Sequence, residues 1–370
     1  MGLIGVSPLA WHPYNNMLSV RRCRVELSTA LHFFGSARYT LRHAPGCPLF
    51  AYRMAFMVDR TWAYHLVSPS TFKKTEVTIP EELKTAEVEV ELLAAGICGT
   101  DIHNFKHGPG SEGAPPGFSI HECVGTVRRD PQKELEGQLV LAIPKEYSGL
   151  KGKYVADRDH CYGLSRHWLR EHDQLAIATL VQPLATVLFA LDRCGDLQGK
   201  TVVSVGIGPI GLLFGLVARV RGARRVVGID PRLITRNVEA FGFDEIVEEE
   251  SAVQASSFDL CIEAVGGQDA TLVTALKLCC PDGRVLAFGV PSDTYYQVPF
   301  MEIFRKRLTL ITSVAPEWSR YLPIAEAFIR LHCEAASAIV SHIFSIDRTQ
   351  EAFDLVASST PERRKVVLVT

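Results

Sequence analysis

Cysteine is sparse and scattered, 10 in 370 residues with no regular framework, which excludes a disulfide-stapled scaffold and suits a reducing compartment. Neither sign of charge is in excess: 39 Lys and Arg face 41 Asp and Glu, a net charge of −2. No global field draws the chain to nucleic acid or to an anionic membrane, so neither partner is expected. Long apolar runs are missing as well. The most apolar stretch, Thr201 to Ala218, is broken by Gly206, Gly208, Pro209, Gly211 and Gly215, so it reads as strand, turn and helix rather than a membrane span. There is no internal repeat and no low-complexity tract. Residues 1–57 lack lysine and carry Glu26 as their one acid, against Arg21, Arg22, Arg24, Arg38, Arg42 and Arg53. That bias is the composition of an organelle transit segment; the alternative is an extension upstream of a start at Met54 or Met57. Either way the segment is expected outside the fold. The expected location is the cytoplasm, or the mitochondrion if the segment is a transit peptide.

What is present is core material, with 47% hydrophobic and 22% charged residues. At about 150 residues per domain, two domains are expected. From Val58 the pattern is strand-like, with runs at 75–79, 86–93, 124–127 and 138–143 between turn signals. In AEVEVELLAAGICGTDIH, Val88, Val90 and Leu92 alternate with Glu87, Glu89 and Glu91, predicting a half-buried strand that runs into a glycine-rich loop. Near Thr179 the period changes to that of an apolar helix, TLVQPLATVLFALDRCG, and from Lys200 strands alternate with helices. Alternation of that kind predicts a parallel sheet covered on both faces. The fold class is α/β: a doubly wound Rossmann domain beside a small β-rich domain.

The segment VVSVGIGPIGLL places Gly206, Gly208 and Gly211 at GxGxxG spacing, with Pro209 and Ile210 between, after a strand and before a helix. The glycines serve a tight turn, close approach to a pyrophosphate and close helix packing, with the helix N-terminus facing the phosphates. The next strand, RVVGID, ends in Asp230, placed to take the ribose hydroxyls of NAD. A carboxylate there repels a 2′-phosphate, so NAD is expected over NADP, although Arg224 and Arg232 lie close in sequence.

Cys98, His121 and Glu122 are thiol, imidazole and carboxylate, ligand types that suit a zinc with one open position. GICGTDIH, followed by PGFSIHECVG and the glycine turn, resembles the medium-chain dehydrogenase/reductase superfamily, in particular its zinc-dependent alcohol and polyol dehydrogenases. The likeness runs from about Val58 to Thr370, including VQPLATVLFAL and VPFMEIFRKRLTLITS. It implies that the β-rich domain is GroES-like. It further implies Cys98 and His121 as zinc ligands, Glu122 as an acid that coordinates when the substrate site is empty, and Asp101 as the acid that orients a ligand. Thr100 would take the substrate hydroxyl proton and His103 would pass it to solvent. At the third ligand position of the family this chain has Gln182, a neutral and weaker donor, and at a customary glycine it has Ile120. No four closely spaced cysteines lie between Val140 and His160, so at most one zinc is expected, the catalytic one.

The expected organisation is therefore 58–178 with 315–370 as the GroES-like catalytic domain and 179–314 as the NAD-binding Rossmann domain. The expected activity is reversible oxidation of an alcohol, by preference a secondary one, to a ketone or aldehyde. Hydride passes to NAD and the partner is a small-molecule alcohol or carbonyl. Two alternatives stand beside it: a zinc-free, NADPH-dependent enone or quinone reductase, favoured by Gln182, and a non-catalytic NAD-binding protein. The resemblance also implies a homodimer or homotetramer, with RKRLTLITS at the subunit contact.

Overall fold

A computed structural model describes residues 59–108, 113–166, 169, 172–232, 238–358, 360 and 363–370; the expected extension 1–57 lies outside them. An antiparallel hairpin, β1 (Arg60–Ser68) with β2 (Thr71–Thr78), precedes a six-stranded sheet. That sheet runs β13 (Val340–Ser345), β14 (Lys365–Val369), β3 (Glu87–Ile97), β4 (Glu122–Arg129), β5 (Leu139–Pro144) and β6 (Lys153–Gly163). β6 also pairs with β3, so β3 to β6 curl into a small closed barrel that removes two exposed edges. Its interior is Val90, Leu92, Ile120, Cys123, Val140 and Tyr154, all at or near complete burial. Helices α1 (Gly99–His107) and α9 (Thr349–Ala357) cover one side, where Phe72 stacks on Phe105 at 5.5 Å and meets Phe353 edge-on at 4.7 Å.

β3 is buried on both faces, not the half-buried strand the alternation predicts. Glu87 and Glu89 are 9% and 1% exposed, and each has a cation from elsewhere: Lys145 at 2.7 Å for Glu87, and the Arg129 guanidinium at 2.8 Å for Glu89. Paired, these acids avoid the several kcal/mol an isolated buried charge costs.

The second sheet is entirely parallel, in the order β9 (Glu245–Val247), β8 (Arg225–Ile229), β7 (Thr201–Val205), β10 (Phe258–Glu263), β11 (Cys279–Ala287) and β12 (Thr309–Thr312). Counted from β7, that order is 3-2-1-4-5-6, the doubly wound arrangement, whose switch point between β7 and β10 is where ligands bind. α4 (Pro209–Val220), α5 (Ala270–Leu278) and α6 (Phe300–Lys306) make the crossovers. α2 (His172–Ala178) and α3 (Val181–Cys194) lead in from the barrel, and α7 (Trp318–Leu331) and α8 (Cys333–Ile339) lead back. The helical run Asp173–Cys194 is apolar enough to span a bilayer, yet 78% of its apolar 18-residue stretch is buried in the protein, with Val181, Leu184, Val187, Leu188 and Leu191 in the core. At about 1.5–3 kcal/mol for each large side chain, that burial is what joins the two sheets.

Candidate active-site cleft

The β3 strand ends at Ile97, and the chain then turns into α1 instead of the loop expected there. Cys98 is the N-cap, and Asp101 at the third helical position accepts the Cys98 N–H at 2.8 Å, a capping-box arrangement. The same carboxylate accepts the Ser119 hydroxyl at 2.9 Å and lies 3.8 Å from His121 Nδ1, so one buried acid fixes both the helix start and the imidazole. Cys98 Sγ stands 3.6 Å from His121 Nε2 and 2.7 Å from Thr100 Oγ1. The donor atoms of Cys98, Asp101 and His121 all lie within 4.8 Å of one another.

Thiol, imidazole and carboxyl at that separation form a donor set that fits zinc. The field agrees. Burial pulls the His121 pKa down, but the Cys98 sulfur, Asp101 and Glu122 outweigh it and raise it well above the ordinary value of 6.5. Surroundings that hold a proton on His121 favour a cation in its place.

Glu122 opens β4 beneath His121, and its carboxylate is paired with the ammonium of Lys365; both side chains are almost fully buried. Burial raises the Glu122 pKa, with Lys365 and His121 acting against it. Gly96 makes the pair fit, since a Cβ there would approach Lys365 Cε to 2.8 Å. Cys98, Thr100, His103, His121, Glu122 and Gln182 all line one cavity of about 580 Å³. Gln182 reaches it from α3 and is 7% exposed, and His103 stands on the exposed face of α1 with its ring 4.4 Å from that of His107. Ile120 is fully buried in the barrel, where its carbonyl accepts the Gly149 N–H at 3.0 Å.

A second cavity of about 830 Å³ is lined by Gly206, Gly208, Pro209, Ile210 and Asp230, and it shares Cys98, Glu122 and Ile210 with the first, so the two are one cleft. Gly206 follows β7 at φ +91°, a left-handed conformation that favours glycine. Gly211 lies under the turn, where a Cβ would fall within 2.9 Å of the Gly206 carbonyl carbon. Gly208 caps α4 with Pro209 following, which leaves the helix N-terminus facing the cavity. Asp230 is held on both oxygens: the Ile207 N–H reaches Oδ2 at 3.1 Å, and Arg232 donates to Oδ1 and Oδ2 at 2.9 and 2.8 Å. Burial raises its pKa, and these bonds outweigh that and keep it below the ordinary carboxylate value.

Sequence reasoning passed over Ser119, Lys365 and Arg363. The C-x-x-D start of α1 was a readable capping signal, whereas nothing near Lys365 or Arg363 in sequence marks them as cleft residues, because their partners lie in other segments.

The family model described as zinc-binding dehydrogenase matches residues 209–329. Sorbitol dehydrogenase of Bombyx mori is 24% identical over 332 residues, covering 76% of this chain and 91% of that protein. L-idonate 5-dehydrogenase (NAD(P)(+)) of Escherichia coli K12 is 26% identical over 264 residues, covering 60% and 74%. The crystal structure of L-idonate 5-dehydrogenase from Escherichia coli K-12 superposes with a TM-score of 0.70 at 20% identity, covering 85% of this chain and 99% of that one, a likeness of fold.

Proposed function

We propose that the chain is a member of the medium-chain dehydrogenase/reductase superfamily and a zinc-dependent dehydrogenase oxidising a secondary alcohol, of the polyol type, with a nicotinamide dinucleotide as hydride acceptor, a reading supported by the zinc-binding dehydrogenase match and the polyol dehydrogenase relatives. The observation that carries this reading is the continuity of the cleft, which opens on a glycine turn at the end of β7 and closes on a thiol, an imidazole and an acid around one point. In this reading 58–178 with 315–370 form the catalytic domain and 179–314 the cofactor domain.

Cys98 and His121 would hold the metal, Gln182 would add a neutral oxygen, and Glu122, which is tied to Lys365, would be the exchangeable member of the set. Zinc and nicotinamide, when bound, supply Lewis acidity at the alcohol oxygen and an acceptor for the hydride. The remaining work falls to the chain. Asp101 keeps Cys98 and His121 in place through the helix cap and the Ser119 bond. Thr100 receives the substrate hydroxyl proton at Oγ1, and His103, which opens to solvent on the exposed face of α1, carries it out; a threonine alone has no pKa suited to the task. Phe288, Val290 and Pro183 supply apolar wall on the cavity and limit water around the reacting carbon. Choice between NAD and NADP depends on Asp230, which favours NAD when free and loses that preference while Arg232 holds it.

The cytoplasm is the proposed location, supported by the free thiols of the eight cysteines among the described residues. A second copy of the chain would pair against β12, the edge of the parallel sheet; the exposure of Phe300, Phe304 and Leu310, at 69%, 70% and 45%, supports this.

The test is hydride transfer from secondary alcohols and polyols carrying deuterium on the carbinol carbon. The expected outcome is deuterium on the reduced nicotinamide, abolished in Cys98→Ala with dinucleotide affinity kept. Reduction of an enone by both proteins would favour the zinc-free reductase, and dinucleotide binding with no turnover would favour a non-catalytic binder.

A further inference from the structure

Among the described residues, the adenosine end of the cleft holds one guanidinium more than the acid there can balance. Asp230 closes β8 where ribose hydroxyls would meet it, but its two oxygens already accept from the Arg232 side chain, the Arg232 N–H at 3.0 Å and the Ile207 N–H. A carboxylate neutralised in this way exerts little repulsion on a further anion.

Arg363 enters the same place from the other end of the chain, two positions before β14. It lines the same cavity as Arg232 and Asp230 and is partly buried; burial and the charge of Arg232 lower its pKa, and Asp230 acts against them. Among the described residues it makes no hydrogen bond, and its buried Nε is without a partner. Among the described residues, two guanidiniums against one carboxylate leave an excess of one positive charge in a partly dehydrated wall. A desolvated cation left unpaired is costly unless an anion arrives to meet it.

The acids on the cavity wall do not supply that anion. Glu250 is taken by Lys277 at 3.0 Å and by the Thr274 hydroxyl, and Glu122 by Lys365. Glu248 and Glu249 also line the cavity, and no bond from either to Arg363 is made. Position points to the ligand. Arg232 Nη2 lies 3.9 Å from where a side chain on Gly208 would begin, so Arg232 stands beside the ribose place between the glycine turn and Asp230, and Arg363 lines the same cavity. The planar fork of a guanidinium matches phosphate oxygens two at a time.

We propose that Arg232 and Arg363 form a subsite for the 2′-phosphate of NADP(H), and that the chain binds NADP(H) in preference to NAD(H). The inference rests on the dinucleotide reading of the cleft. It makes Arg363 a specificity-determining residue contributed by the barrel side to the cofactor side.

The experiment is the dissociation constant of NADPH and of NADH, by nicotinamide fluorescence, on the full chain, Arg363→Gln and Arg363→Lys. The expected result is NADPH bound about tenfold tighter than NADH by the parent, and a loss of about 10- to 100-fold for NADPH alone in Arg363→Gln, partly recovered in Arg363→Lys. Adenosine 2′,5′-bisphosphate should displace NADPH from the parent where the same concentration of inorganic phosphate does not. NADH bound as tightly as NADPH by the parent overturns the proposal. Equal weakening of both cofactors in Arg363→Gln also overturns it, since that result would put the guanidinium on the pyrophosphate. Binding of neither cofactor to the parent overturns the dinucleotide reading and the proposal with it.

Discussion

The parallel sheet keeps its glycine turn in one run of strand, turn, helix and strand, from Thr201 to Asp230, whereas the other end of the cleft is drawn from Cys98, His121, Gln182 and Lys365, in four separate parts of the chain. In the first region backbone does the work: a left-handed glycine, a helix N-terminus and close packing of α4 on β7. In the second, side chains do it, and each needs a partner from another segment, as Glu122 needs Lys365 and His121 needs Asp101. A site of backbone tolerates change in its neighbours as long as nothing larger than glycine is inserted. A site of paired side chains fails when either member is removed.

Lys365→Met gives the largest expected effect. It leaves the Glu122 charge buried and alone, and should cost about 3–5 kcal/mol in denaturant unfolding, most of it recovered when Glu122→Gln is added. Additive losses in the double variant would mean that the two side chains do not act as a pair. On the backbone side, Gly211→Ala forces a methyl against the Gly206 carbonyl, and overpacking of about 1–3 kcal/mol should appear as a loss of about 10- to 100-fold in dinucleotide affinity with zinc content unchanged. Equilibrium dialysis decides between that outcome and a joint loss of both.

Acid separates the regions again. Burial raises the Asp130 pKa, but Arg158 and the N–H groups of Leu135 and Gln132 outweigh it and hold the carboxyl below its ordinary 3.8. A depressed carboxyl binds its proton more readily in the unfolded chain, so its contribution is complete above about pH 5 and fades as the pH falls below about 4. The unfolding free energy, followed by denaturant titration from pH 6 to pH 3, should therefore fall less in Asp130→Asn than in the parent, by a difference of about 1–3 kcal/mol. The smallest expected effect sharpens the metal side. Gln182→Glu adds a charged oxygen at the third ligand position and should slow zinc loss to a chelator by about tenfold. An unchanged rate would remove Gln182 from the metal's surroundings.

Legibility in the sequence follows the same division. GIGPIG and Asp230 could be read because a dinucleotide turn is a local pattern, and the strand and helix alternation after Lys200 could be read because both faces of a parallel sheet are apolar. α1 was misread as loop. Asp101 and Phe105 are its buried residues, with no apolar stripe, and its start rests on a Cys–Asp capping box. The alternation in β3 was visible but its meaning was not, because the cations that let Glu87 and Glu89 go inside come from Lys145 and Arg129. Lys365, the first residue of β14, and Arg363, two positions before it, carry no local signal of a site. Only the folded chain turns them into the cleft, where their charge acquires a use.

Zinc per chain, by elemental analysis of the purified protein and of Cys98→Ala, tests the central claim most directly. The account predicts about one zinc in the parent and none in the variant, with dinucleotide affinity the same in both. A parent protein without zinc, or a variant that keeps it, would contradict the account.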